Sequence, residues 1–367
     1  DILRDDIEKM AQSWKEVVNN ISSKIETFRD RFYRVGRMEP KRMQRYFLQI
    51  LEGQDVNDRM IHSLIKERII TELKPKALRI VLLIDNSGSM SDSGKVDSIK
   101  KSVLLLNSSL RSFRAIFKLM MEDVYSEYGM TLPENIDIVT DIQIRLFGEE
   151  ASMVKPFEVN DYSFLTEPEG TVALPQIDPD RETIATVIAF QNIRPNGGTD
   201  DTSSYEEIVG NDLNEKIVGH ILKGEISEAI IQISDGGVNM AGHSMAKNKA
   251  GERSRTIYSG ATGENLSTNG DRRTIQLIKF LREKYKVGTA GFAIGAGGEA
   301  ETAYKALVER MGSSDYVTSA NNISEIVQGF SAIIRNVIVQ QVQNKMIDEL
   351  EGYAQRIEAE IKQTPED

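Results

Sequence analysis

The chain has no cysteine, only three histidines and one tryptophan in 367 residues. Without thiols, disulfide frameworks, thiolate zinc sites and cysteine nucleophiles are excluded, and the redox compartment is left open. His62, His220 and His243 are too few to suggest a histidine-rich metal centre. No window approaches the apolar length needed to cross a bilayer, and residues 1–10 have no apolar signal core. Cytoplasm is the default expectation. The chain begins at Asp1, as a fragment or processed product would, so missing targeting segments carry little weight. Basic excess is lacking too: 45 Lys and Arg against 56 Asp and Glu give a formal net charge of -11. That disfavours general affinity for nucleic acid or anionic lipid, and favours a cationic surface or a cation held between acidic groups.

What is present is enough to fold. Hydrophobic residues make up 40% of the chain, sufficient for a full core. Near the start, Ile7, Met10, Trp14, Val17, Ile21, Ile25, Phe28 and Phe32 are spaced by threes and fours, which predicts a helix with one apolar stripe. A second amphipathic stretch, 43–73, stops at Lys74-Pro75. Residues 1–75 therefore read as a helical hairpin.

The period then changes. Residues 79–84, Arg-Ile-Val-Leu-Leu-Ile, form a short continuous run suited to a strand buried on both faces. Similar runs at 136–147, 229–234 and 287–294 alternate with helical patterns at 96–121, 181–192, 205–222, 272–285 and 300–311. This rhythm predicts an α/β fold with a doubly wound, mostly parallel sheet. The acidic, proline-bearing 158–180 and the polar 236–271 read as loops or insertions. From Ile323 to Ile361 an apolar stripe marks a long helix, expected to lie against the N-terminal hairpin because both stripes need covering.

Chemistry concentrates where the first strand ends. In an open α/β sheet, ligands bind beyond the carboxyl ends of the strands, and Asp85-Asn86-Ser87-Gly88-Ser89 stands there, with Lys95 and Asp97 in the helix that follows. One carboxylate and two hydroxyls are hard oxygen donors, suited to Mg2+, Mn2+ or Ca2+ rather than zinc or copper. Gly197-Gly198-Thr199 and Ser234-Asp235-Gly236 could complete the set from other turns. The local alternative is that Asp85 caps the next helix and Gly-Gly-Thr is an ordinary turn.

Taken together, Asp85-x-Ser87-x-Ser89, Gly197-Gly198-Thr199 and Ser234-Asp235-Gly236 resemble the metal ion-dependent adhesion site (MIDAS) of von Willebrand factor A (VWA) domains, over roughly residues 78–340. The resemblance implies a Rossmann-like VWA fold with insertions near 158–180 and 236–271, and a C-terminal helical extension at 341–367. It implies Ser87, Ser89 and Thr199 as ligands of Mg2+ (or Mn2+ or Ca2+), and Asp85 and Asp235 as direct or water-mediated anchors. An open coordination position would take an Asp or Glu side chain from a protein partner. Leu83 to Met90 looks most like intracellular prokaryotic members that accompany AAA+ ATPases of the MoxR and chelatase type, so an adaptor or cofactor of such an ATPase is the expected role. The alternative is a cell-surface or extracellular adhesion or structural protein using the same site.

Other candidates are weaker. Gly94-Lys95 lacks the first glycine of a phosphate loop, and Gly295 to Gly298 reads as a strand-to-helix connection. Asp200 and Asp201 suit either a water network around the ion or a solvated acidic turn. Lys247, Lys249, Arg253 and Arg255, in the long insertion, could steer an acidic partner, and the terminal helices could self-associate. No nucleophile, base and acid set emerges, so the expectation is a binding protein and not an enzyme.

Overall fold

The computed structural model describes residues 76–91, 93–127, 138–159, 162–165, 178–235, 254–263, 265–269, 273–295 and 298–320, with a few single positions besides. The predicted N-terminal hairpin, nearly all of the predicted C-terminal helix and the 341–367 extension lie outside them.

The buried run at 79–84 becomes the middle strand of a three-strand centre. Strand β1 (Ala77–Asp85) pairs in parallel with β2 (Val139–Phe147) on one side and with β4 (Ile226–Ser234) on the other. Strand β3 (Ser152–Lys155) adds an antiparallel edge beside β2. Beyond β4 lie two more parallel strands, β7 (Gly288–Ile294) and β8 (Val317–Ala320), giving the order β3-β2-β1-β4-β7-β8. The sheet is thus a six-stranded, mostly parallel, doubly wound α/β sheet, as the alternation of strand and helix patterns predicts.

Among the described residues the α-helices with given bounds are α1 (Ser93–Glu127), α2 (Pro179–Phe190), α3 (Thr202–Glu207), α4 (Glu215–Leu222), α5 (Arg273–Lys284) and α6 (Gly298–Met311). Because successive residues of a strand face opposite sides, β1 feeds two cores. Leu78, Ile80, Leu82 and Ile84 pack with Ile99, Val103, Leu106 and Phe113 of α1. Val81 and Leu83 pack with Tyr205, Ile208, Leu277, Leu281 and Leu307 on the other face.

One expectation needs correction, and three further features go beyond the sequence pattern. The stretch read as one helix over 205–222 is divided: α3 runs into a π-helical turn, Ile208–Asp212, and α4 restarts at an Asn214 cap whose side chain accepts from the Ile217 amide. Gly210, Asn211 and Asp212 are weak helix formers, so little resists the break. The 236–271 insertion is not all loop, because β5 (Ser254–Tyr258) and β6 (Asn265–Asn269) form an antiparallel hairpin. Close approach fixes it: the Gly260 amide donates to the Val209 carbonyl at 3.0 Å, and a Cβ on Gly260 would sit 2.5 Å from the Gly210 oxygen. The 158–180 stretch is also partly anchored, since the Glu158 and Val159 amides donate to Asp141 and Phe164 and Leu165 are buried. Finally, the short strands β3 and β8 were not anticipated.

A charged row crosses the centre of the sheet. Arg79 stands in register with Asp141 on β2 and Glu228 on β4, and all three are buried. The guanidinium pairs with Glu228 at 3.1 Å and lies 4.1 Å from the ring centre of Phe157. Such an arrangement costs desolvation and is tolerated only when paired.

Candidate functional site

The order β3-β2-β1-β4-β7-β8 contains a switch point between β1 and β4, where the chain turns to opposite sides of the sheet. Asp85 closes β1 and Asp235 follows β4, so both stand at the mouth of that crevice.

Asp85 is fully buried and organises the turn after its strand. The Ser87 amide donates to Oδ1 at 2.9 Å, and the Ser234 hydroxyl donates to Oδ2 at 2.6 Å. Ser87 and Ser89 share a hydrogen bond between their hydroxyls at 2.9 Å, and Ser89 Oγ donates to Asp235 Oδ1 at 2.9 Å. Ser234, Asp85, Ser87, Ser89 and Asp235 therefore form one connected polar chain across two strand ends. The Lys95 ammonium closes it, donating to Asp235 Oδ2 at 2.9 Å and to the Ser89 carbonyl at 3.2 Å.

Thr199 arrives by backbone stitching. The Asn196 amide donates to the Asn86 carbonyl at 3.0 Å, and the Gly88 amide to the Gly197 carbonyl at 3.1 Å. The Asp200 amide donates to the Gly148 carbonyl at 2.7 Å. These bonds hold the 196–200 segment against the 86–88 turn, with Thr199 buried. Gly197 adopts φ of 66°, a left-handed conformation that calls for glycine. All five predicted site positions thus gather at one end of the sheet. Neither the Ser234 bond to Asp85 nor the Lys95 bond to Asp235 was anticipated; the closeness of Lys95 to the motif in the sequence was the one available signal.

Asp200 and Asp201 are not a solvated turn, because both are buried. Asp200 accepts from the Thr202 amide and the Ser203 hydroxyl. Asp201 accepts from Thr274 and Gln232 and pairs with Arg310 at 2.9 Å, tying the loop to α5, β4 and α6. His243, Lys247, Lys249 and Arg253 lie outside the described residues, and Arg255 falls in β5.

Among the described residues no group of three or more His, Cys, Asp or Glu could hold a metal, so a cation at this crevice must draw on hydroxyl oxygens as well as carboxylates. The donors present are of the hard, oxygen-only kind that suits magnesium, manganese or calcium.

Burial pushes the Asp85 carboxyl up to about 6. The Ser234 and Ser87 hydrogen bonds oppose that rise, and the Asp235 charge adds to it only slightly. Like-charge repulsion from Asp235 is the smallest of these contributions, since Asp85 is completely buried and Lys95 sits on Asp235. The native state of the metal-free protein therefore binds this proton more tightly than the unfolded chain does. Asp85 then makes stability fall as pH rises from about 4 to about 6, a change on the order of 2–3 kcal/mol. Thermal melts in EDTA should show this component in the wild type and not in Asp85→Asn. Parallel pH profiles for the two proteins would contradict it.

No protein-family profile and no curated protein matches the chain. Among solved structures, the chain is similar to proximal thread matrix protein 1 from the mussel byssus with a zinc-occupied MIDAS motif (TM-score 0.38, 15% identity, 72% of this chain and 48% of that one). It is also similar to the vWF domain of the type V pili tip protein Mfa5 from Porphyromonas gingivalis (0.40, 10%, 74% and 97%). A third similar structure is the SpRpn10 VWA domain (0.34, 12%, 68% and 93%). The chain spans less than half the length of the mussel protein. Among the described residues no helix is long and apolar enough to cross a membrane.

Proposed function

We propose that the crevice at the ends of β1 and β4 is a divalent-cation site through which the protein binds an acidic side chain of a protein partner. The observation that carries this reading is the continuous polar chain from Ser234 through Asp85, Ser87 and Ser89 to Asp235, with Thr199 stitched alongside. Ser87, Ser89 and Thr199 would supply neutral oxygens, and Asp85 and Asp235 the negative charge, with Mg2+ the expected ion and Mn2+ or Ca2+ the alternatives. Because three of the five groups are neutral hydroxyls, the bound ion would keep an open coordination position and an affinity for an Asp or Glu from outside. The bound ion supplies that attraction; the residues of the chain hold and orient it. The role is binding and not catalysis.

Within this reading the partner is an AAA+ ATPase of the MoxR or chelatase type, and the protein its cytoplasmic adaptor. This finer assignment is supported by the likeness of the 83–90 string to such members. The test is retention of proteins on the immobilised chain in Mg2+ and in EDTA. An AAA+ ATPase retained in Mg2+, released by EDTA and not held by Ser87→Ala/Ser89→Ala is the expected result. Capture that ignores both EDTA and the double substitution would overturn the metal-dependent mechanism.

A further inference from the structure

Lys95 occupies an unfavourable place for a cation. It is the third residue of α1, whose first turn contains no acidic side chain, and the positive end of a helix dipole disfavours an ammonium there. Its position is explained by what it touches. The ammonium reaches Asp235 Oδ2 at 2.9 Å and the Ser89 carbonyl at 3.2 Å, while Ser89 Oγ holds the other Asp235 oxygen at 2.9 Å. The two side chains are 11% and 4% exposed, so the pair is largely shielded from water. One covalently tethered positive charge thus neutralises one of the two carboxylates of the cation site.

From this we infer that Lys95 is an internal counter-ion that competes with the incoming metal for Asp235 and so sets the affinity and charge selectivity of the site. The inference rests on the cation-site reading above. A divalent ion beside Asp235 and an ammonium 2.9 Å from the same carboxylate repel each other, and the flexible lysine stem is the component that can move. Binding therefore includes displacement of Lys95 toward solvent. A monovalent ion, which offers Asp235 no more charge than the ammonium already provides, does not drive that displacement. Lys95 is a specificity-determining residue and is not itself a ligand.

The test is calorimetric titration of Mn2+ into the full 367-residue chain and into Lys95→Met, Lys95→Gln and Lys95→Arg, with thermal melts in EDTA. The two neutral variants should bind Mn2+ about tenfold more tightly or better, and Lys95→Arg within about threefold of wild type. In EDTA the neutral variants should melt lower than wild type, because Asp235 has lost its counter-ion, and Mn2+ should raise their melting temperature by more. Having two neutral variants keeps the test open should one fail to fold. If the wild type binds Mn2+ and neither neutral variant binds it more tightly, the counter-ion role is overturned and the site reading stands. If neither the wild type nor the neutral variants bind Mn2+, both fall.

Discussion

Replacing Arg79 with alanine is expected to cost about 3–5 kcal/mol of stability in urea denaturation, more than any substitution at the crevice. Arg79, Asp141 and Glu228 meet in register across the three central strands, and Glu228 is fully buried. The guanidinium pairs with Glu228, and it stacks against Phe157 at 4.1 Å and Tyr162 at 5.4 Å. Burial already raises the Asp141 carboxyl; the Val159 and Glu158 amides, Lys155 and Arg79 hold it down. Removing Arg79 leaves two buried carboxyl groups short of a cation and opens a void beside the two rings. The paired replacement Arg79→Met/Glu228→Leu should recover most of the loss, because the expense lies in the unpaired charge and not in the absence of the ion pair. A loss below about 1 kcal/mol for Arg79→Ala, or a double variant weaker than the single, would show that the row is not a structural determinant.

That row also shows where sequence reading stops. The run 79–84 is apolar enough to mark a central strand, and the strand is there, in β1. Arg79 at its head belongs to that run, but the run does not name its partner, and only the register with Glu228, 149 positions away, makes it a buried ion pair. Lys95 and Asp235 pose the same problem across a separation of 140. Local pattern reports which residues prefer burial; it does not report which polar residues will find each other. The hairpin at 254–269 was hidden for a different reason: Ser-Arg-Thr-Ile-Tyr and Asn-Leu-Ser-Thr-Asn carry too many small polar residues to show an apolar alternation. Strand β3 is four residues long and half exposed at a sheet edge, so its burial signal is weak. By contrast, the clustering of Asp85, Ser87, Ser89, Thr199 and Asp235 was foreseeable, because each stands in a turn or strand end bounded by glycine or by a buried run, and a doubly wound sheet brings such ends to one crevice.

The second large effect concerns cation binding itself. Ser87→Ala/Ser89→Ala removes two neutral oxygen donors while leaving Asp85 held by the Ser87 amide and the Ser234 hydroxyl, and Asp235 held by Lys95. The two hydroxyls bond to each other, so removing both leaves neither one orphaned. The fold should therefore persist with a change of about 1 kcal/mol or less, while divalent-ion affinity drops by about a hundredfold or more. Separating these two readouts distinguishes a ligand from a merely structural serine.

The most direct measurement is a calorimetric titration of Mg2+ or Mn2+ into the metal-free full chain, with the double alanine variant alongside at matched denaturation midpoints. One saturable site in the wild type, lost in the variant, is the predicted result. No saturable binding in the wild type, or equal affinity in both proteins, would contradict a cation site built on Asp85, Ser87, Ser89, Thr199 and Asp235.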